Sequence, residues 1–182
     1  MLFIARKEKD ETSALRLFDL LIPALLIGMF FGNIGAFLDG INYGSPTNLP
    51  WSVVFRSATV KYISPIHPTQ LYGALYCLGT GLFLLSVLKK LHGRLVGFVT
   101  ELSIFIFSFF KFFEEFFRGD EALKIGSLRI AQIIAFIGMC VGLFLLYRRY
   151  TNANATGGII KQTKPDSEAA PERTTSLQNQ GI

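Results

Sequence analysis

Four runs of apolar residues, each close to the ~20 residues that carry a helix across a bilayer core, leave this chain few folds to choose from. They cover approximately 17–38, 68–88, 95–117 and 128–147. Hydrocarbon offers backbone groups no partner, so each run must satisfy its own N–H and C=O groups, which a helix does. The pattern predicts an all-α membrane protein: a bundle of about four transmembrane helices, an interfacial loop and a disordered C-terminal tail. Composition agrees. Only 17% of residues are charged and 51% are hydrophobic, whereas a soluble domain carries about a quarter charged residues.

The net charge of +5 raises the question of nucleic acid, but the basic residues flank the apolar runs instead of clustering on one polar face. We therefore expect no nucleic-acid partner and read these residues as topology signals. Arg6, Lys7, Lys9 and Arg16 precede the first run. Lys89, Lys90 and Arg94 join the second to the third, and Arg148 and Arg149 follow the fourth. An even number of spans then puts both termini in the cytoplasm. Residues 1–16 read as a cytoplasmic flank without a cleavable signal peptide, 17–148 as the membrane domain and 149–182 as the tail. That tail is rich in Thr, Asn, Gln and Ser and has too little apolar surface to fold alone. Cys77 and Cys140 lie inside apolar runs and show neither a disulfide framework nor metal-ligand spacing. No cofactor and no metal are expected.

Small residues suggest where helices meet. Gly28 with Gly32, and Gly138 with Gly142, are GxxxG pairs that let a second helix approach closely. Between the first two runs, Gly40, Gly44, Pro46 and Pro50 predict turns, and Tyr43, Trp51 and Tyr62 suit a membrane–water boundary.

Polar groups at membrane depth are costly and by default suggest function. Lys111, Glu115 and Arg118 fall three and four residues apart in FFKFFEEFFRGD, on one helical stripe. Two readings stand: a headgroup site in which Glu115 holds two cations for an anionic lipid, and a self-neutralised ladder that anchors the helix end. PIHPTQLY places His67, Gln70 and Tyr72 at the entrance to the second run. It reads either as a site that positions a proton and a polar substrate or as capping plus an aromatic belt. GNIGAFLDGINYG contributes Asn33, Asp39 and Asn42 among glycines that let backbone approach a ligand. Gln132, in the last run, is expected to bond across helices, and Asp19 to favour a positive helix N-terminus.

Taken in this order, GNIGAFLDGINYGSPTNLPWSVVF, PIHPTQLY and EEFFRGD resemble segments of the bacterial prolipoprotein diacylglyceryl transferase family, over about residues 14–148. The resemblance implies a transferase of the bacterial plasma (inner) membrane. It would move a diacylglyceryl group from phosphatidylglycerol to the lipobox cysteine thiol of a preprolipoprotein. It further implies His67 and Glu115 as catalytic residues, with Asn33, Asp39, Gln70, Tyr72, Lys111, Arg118 and Gln132 binding substrate. Several positions depart from the family. Asn33, Ala36 and Ile41 stand where it carries Arg, Asn and Glu, and Phe107 and Lys111 stand where it carries Tyr and Arg. These departures imply an alternative, a catalytically inactive lipid-binding or scaffolding relative. Family members have seven spans, which makes a separate N-terminal half chain a candidate partner.

Overall fold

The computed structural model describes residues 2–56, 60–91 and 95–162, with side chains from 13 to 154 within those ranges. Four helices account for most of it: α1 (Leu2–Asp39), α2 (Thr69–Leu91), α3 (Phe98–Phe117) and α4 (Ile130–Gln162). A two-residue hairpin, β1 (Lys124–Ile125) and β2 (Leu128–Arg129), sits between α3 and α4 and was not expected. Gly126 turns it with a φ of 62°, a conformation glycine adopts without steric cost. The described residues up to Tyr147 form one compact unit, and those from Arg148 onward belong to a second.

Three of the four expected spans are recovered among the described residues, each ending beyond its expected boundary. Ser13–Asp39, Thr69–Leu91 and Ile130–Asn154 are long and apolar enough to cross a membrane. The fourth, α3, has 20 residues, but Glu101, Lys111, Glu114 and Glu115 interrupt its apolar character. The charged flank expected ahead of the first span is itself helical from Leu2. The α4 helix continues to Gln162, into the stretch expected to be disordered, because extending an existing helix adds one backbone bond per residue fixed. The remainder of that tail, 163–182, lies outside the described residues, as does Arg94.

Helix ends explain how the chain is steered. Gly40, at φ 69°, closes α1. Its N–H bonds Phe37 O at 3.3 Å and the next N–H bonds Ala36 O at 3.1 Å, the Schellman arrangement that satisfies the last carbonyls. The N-terminus of α3 follows Gly97, which has no side chain to cap it. Asp19, buried in the middle of α1, does so from across the bundle. Its Oδ2 accepts from Gly97 N at 2.6 Å, and its Oδ1 accepts from Thr100 N at 2.8 Å and Thr100 Oγ1 at 2.7 Å. Asp19 thus serves a neighbouring helix and not its own, a tertiary relation that local spacing does not encode.

Leu26, Cys77, Leu84 and Val99 form the buried apolar centre where α1, α2 and α3 meet. On α2, Gly81 allows that contact: a Cβ there would lie 3.2 Å from Pro23 O on α1. The two GxxxG pairs behave differently. A Cβ on Gly142 would stand 2.7 Å from Phe105 N, and one on Gly138 2.4 Å from Ser108 Oγ, so α4 packs on α3 through this pair. Added Cβ atoms on Gly28 and Gly32 would meet nothing within 4 Å, so the close approach expected there is not made within this chain.

Candidate functional site at the C-terminal end of α3

Six ionic side chains converge where α3 meets the hairpin. Glu115 is 3% exposed. Its Oε1 lies 3.1 Å from Lys111 Nζ and 3.8 Å from Arg118 Nη1, and its Oε2 lies 2.8 Å from Arg129 Nε. Lys111 also reaches Glu114 Oε1 at 3.2 Å, and Tyr76 on α2 donates its hydroxyl to Glu114 Oε2 at 2.8 Å. Asp120 is gripped by two guanidinium groups: Arg118 Nε at 3.0 Å and Arg118 Nη2, with Arg129 Nη2 at 2.6 Å. Lys111, Arg118 and Arg129 are therefore matched by Glu114, Glu115 and Asp120, and the cluster is neutral. Burial by itself would raise the Asp120 carboxyl. The hydrogen bonds and charges of Arg118 and Arg129 outweigh that and hold it below the usual carboxylate range.

The expected Lys111–Glu115–Arg118 stripe is present, but its setting is wider than helical spacing reveals. Arg118 makes its close bonds to Asp120 and to Asn42 Oδ1, at 2.9 Å from Nη2. Arg129 further binds the carbonyls of Asp120 at 3.1 Å and Arg118 at 3.4 Å, stapling the hairpin to the end of α3. Asn42 sits at φ 57°, a left-handed conformation that asparagine tolerates better than most residues. There it joins three elements: its side chain takes Arg118, and its carbonyl takes Thr69 Oγ1 at 2.7 Å at the start of α2. Glu114, Asp120, Arg129 and Tyr76 are the members that motif reading missed, while Asn42 was noted only as part of the glycine-rich turn and without its link to Arg118. The usable signals were ionisable residues close to an apolar run and an asparagine in a glycine-rich turn.

The loop 40–68 brings His67 to this end of the bundle. Ile66, fully buried, anchors the loop through backbone bridges to Pro46 and Val53. Gly44 N donates to His67 O at 3.0 Å, and Gly44 also bridges Arg118. A Cβ on Gly44 would lie 2.4 Å from His67 O, so only glycine fits between the two. His67 Nδ1 meets the Tyr72 hydroxyl at 3.2 Å, and Tyr72 accepts from Trp51 Nε1 at 2.8 Å. The imidazole also packs on Phe117, with ring centroids 5.1 Å apart. Burial lowers its pKa below the ordinary histidine value.

The remaining expected residues are spread around this centre. Gln70 is 1% exposed and donates Nε2 to Ile41 O at 2.6 Å, while its Oε1 is buried without a hydrogen-bond partner. Asn33 lies between α1 and α2. It donates to Met29 O at 2.8 Å, and its Oδ1 occupies the space a Cβ on Gly73 would need. Asp39, the last residue of α1, is exposed. Gln132 does not reach across helices by its Oε1. That atom accepts from Arg129 N at 3.1 Å, the reciprocal half of a capping box at the start of α4. His67 and Glu115, the two residues expected to be catalytic, belong to adjoining groups: His67 to the Tyr72–Trp51–Phe117 group and Glu115 to the ion cluster. The RGD tripeptide at 118–120 is internally paired through Arg118 and Asp120.

Comparison with known proteins gives one consistent match. The family model for prolipoprotein diacylglyceryl transferase matches residues 1–148. The chain is similar to the phosphatidylglycerol–prolipoprotein diacylglyceryl transferase of Clostridium tetani, 31% identical over 139 residues, covering 76% of this chain and 55% of that protein. It is also similar to proteins of the same name from Gloeobacter violaceus, 34% identical over 154 residues (81% of this chain, 57% of that one), and from Nitratidesulfovibrio vulgaris, 33% identical over 153 residues (81% and 54%). The chain spans about half the length of these relatives.

Proposed function

Because this chain belongs to the prolipoprotein diacylglyceryl transferase family, we infer that it takes part in moving a diacylglyceryl group from phosphatidylglycerol to a lipobox cysteine of a preprolipoprotein. The reaction is placed at the outer face of a bacterial plasma membrane, with both termini cytoplasmic. The cysteine sulfur, as thiolate, attacks the glycerol carbon that bears the phosphodiester. The carbon–oxygen bond breaks, a thioether forms, and glycerol phosphate leaves with the bonding electrons. Since the chain spans about half of its relatives' length, a separate half chain belongs to the proposal as a partner.

His67 suits the base. Its lowered pKa keeps the imidazole neutral at pH 7. In the tautomer that donates Nδ1–H to Tyr72, Nε2 keeps a lone pair for the thiol proton. Arg118 and Lys111 suit the phosphate, the first with a fork and the second with a point charge. Asn33, Asp39, Gln70 and Gln132 remain candidates for substrate contact. The observation that carries the reading is the buried ion cluster joined to His67 through Gly44.

The pairing of Arg118 and Lys111 each with a carboxylate favours a second reading, a lipid-binding relative without catalysis, because phosphate must displace a carboxylate to bind. One experiment separates the two. The chain is reconstituted alone, and with a chain that supplies the uncovered half of the relatives, and diacylglyceryl transfer from phosphatidylglycerol to a lipobox peptide is measured. Transfer in either setting supports the enzyme. Phosphatidylglycerol binding without transfer in both removes the catalytic claim.

A further inference from the structure

Asp120 sits where two guanidinium groups converge. Arg118 reaches its carboxylate through Nε, 3.0 Å from Oδ1, and through Nη2, while Arg129 Nη2 lies 2.6 Å from Oδ1. Neither guanidinium depends on Asp120 for its place. Arg118 Nη2 is also held by Asn42 Oδ1 at 2.9 Å. Arg129 keeps Glu115 Oε2 at 2.8 Å and the carbonyls of Arg118 and Asp120. The backbone at Asp120 is likewise tied: Gly119 N donates to Tyr43 O at 3.0 Å, and Asp120 O accepts from Arg129. A turn of the Asp120 side chain alone therefore uncovers two forks that stay aimed at one spot, the arrangement that suits phosphate oxygens.

The carboxylates of the cluster differ in how readily they yield. Glu115 is buried within α3 and shared by three cations. The Asp120 side chain is 18% exposed and stands between α3 and β1, where a rotamer change is fast. Asp120 is thus the carboxylate that an incoming anion displaces, and charge decides which anion succeeds. A tethered carboxylate competes at an effective concentration of about millimolar or more. A phosphodiester carries one negative charge, so it exchanges one charge for one and has the tether to overcome. A phosphate monoester carries about −1.5 to −2 at pH 7 and three acceptor oxygens, so it gains attraction to both guanidinium groups on exchange.

We propose that Arg118 and Arg129 form a binding site for a phosphate monoester dianion, occupied at rest by the Asp120 carboxylate. In the transferase reading, on which only the identity of the ligand rests, the donor is a diester and the departing glycerol phosphate is a monoester. The phosphate acquires its second charge when the carbon–oxygen bond breaks, and only then displaces Asp120. The site selects product over substrate, and it closes on Asp120 again once the monoester has diffused away.

Water-soluble ligands test the phosphate without its acyl chains: glycerol phosphate as the monoester and glycerophosphoglycerol as the diester. Asp120→Asn keeps the shape of the side chain and removes the competing charge. Arg129→Gln in that background removes the second fork. Lys61, whose ammonium pairs with Glu121 at the surface, supplies the control Lys61→Gln.

The full chain is purified in mild detergent, and binding of each ligand at pH 7 is measured by isothermal titration calorimetry. The wild type should bind the monoester about tenfold or more tighter than the diester. Asp120→Asn should tighten diester binding about tenfold and so narrow that ratio. Adding Arg129→Gln should abolish the gain, and Lys61→Gln should match the wild type. Equal wild-type affinities for the two ligands overturn the proposal, and that comparison needs no variant. Diester binding no tighter in Asp120→Asn, with helix content by circular dichroism unchanged, also overturns it, as does a gain that survives Arg129→Gln. Monoester preference in a chain that transfers no diacylglyceryl group leaves the site standing. Transfer without that preference overturns the site and keeps the transferase, so the two failures are distinguishable.

Discussion

Glu115 concentrates the electrostatics of this protein in one side chain. It is buried and shared by Lys111, Arg118 and Arg129. Removing one partner of a buried ionic group strands the others, at a cost of about 3–5 kcal/mol. Glu115→Ala should lose about that much in chemical unfolding of the detergent-solubilised protein, and Glu115→Gln, which keeps the shape and an acceptor, should lose less. A loss no larger than that of an exposed substitution would show the cluster to be ornamental. Asp120 adds a pH dependence. Its folded-state pKa lies below its unfolded one, so its contribution is complete above the ordinary carboxylate value, about 3.9. It is lost as pH falls through the folded value. Thermal midpoints measured from pH 7 down to pH 3 should drop at the acid end, and Asp120→Asn should flatten that part of the curve. An identical acid limb in the variant would contradict the assignment. Residues of this kind were half legible beforehand. The i, i+3 and i, i+4 spacing of Lys111, Glu115 and Arg118 put them on one stripe, but Asp120 lies past the end of α3 where helical spacing no longer applies, and Arg129 enters through a hairpin and Asn42 through a loop, across distances that periodicity does not span.

Helices were the most legible elements, because an apolar run of crossing length has only one way to satisfy its backbone in lipid. Their pairings were not. Two identical GxxxG spacings have opposite outcomes: Gly142 lies against the backbone of Phe105, while Gly28 faces open space. The motif states that a close approach is permitted, and only tertiary contact says whether it occurs. Gly142→Leu should therefore destabilise the bundle by about 1–3 kcal/mol through overpacking, whereas Gly28→Leu should be neutral or slightly stabilising. Thermal midpoints of the two variants side by side check this, and equal effects would refute the assigned packing. The same limit explains Asp19. A carboxylate early in a span suggests its own helix terminus, yet this one caps α3.

At the scale of the whole molecule, apolar side chains dominate the outside. Phe31, Leu38, Leu75 and Leu143 are all more than half exposed, an arrangement that water does not tolerate and lipid does. Recovery should require detergent or lipid, checked by size-exclusion chromatography with and without it; a stable monomer in plain buffer would contradict the membrane assignment. The four-helix architecture was readable from the four runs, but the position of the site was not, because it arises where a loop, a hairpin and the ends of three helices are tied together. Gly44 is the knot. Its N–H holds His67, its backbone bridges Arg118, and a Cβ on nearby Gly119 would lie 2.5 Å from Gly44 O. With no slack between these strands of backbone, the chain positions of His67 and Arg118 are set by one another, and a side chain larger than hydrogen at Gly44 would push the two apart.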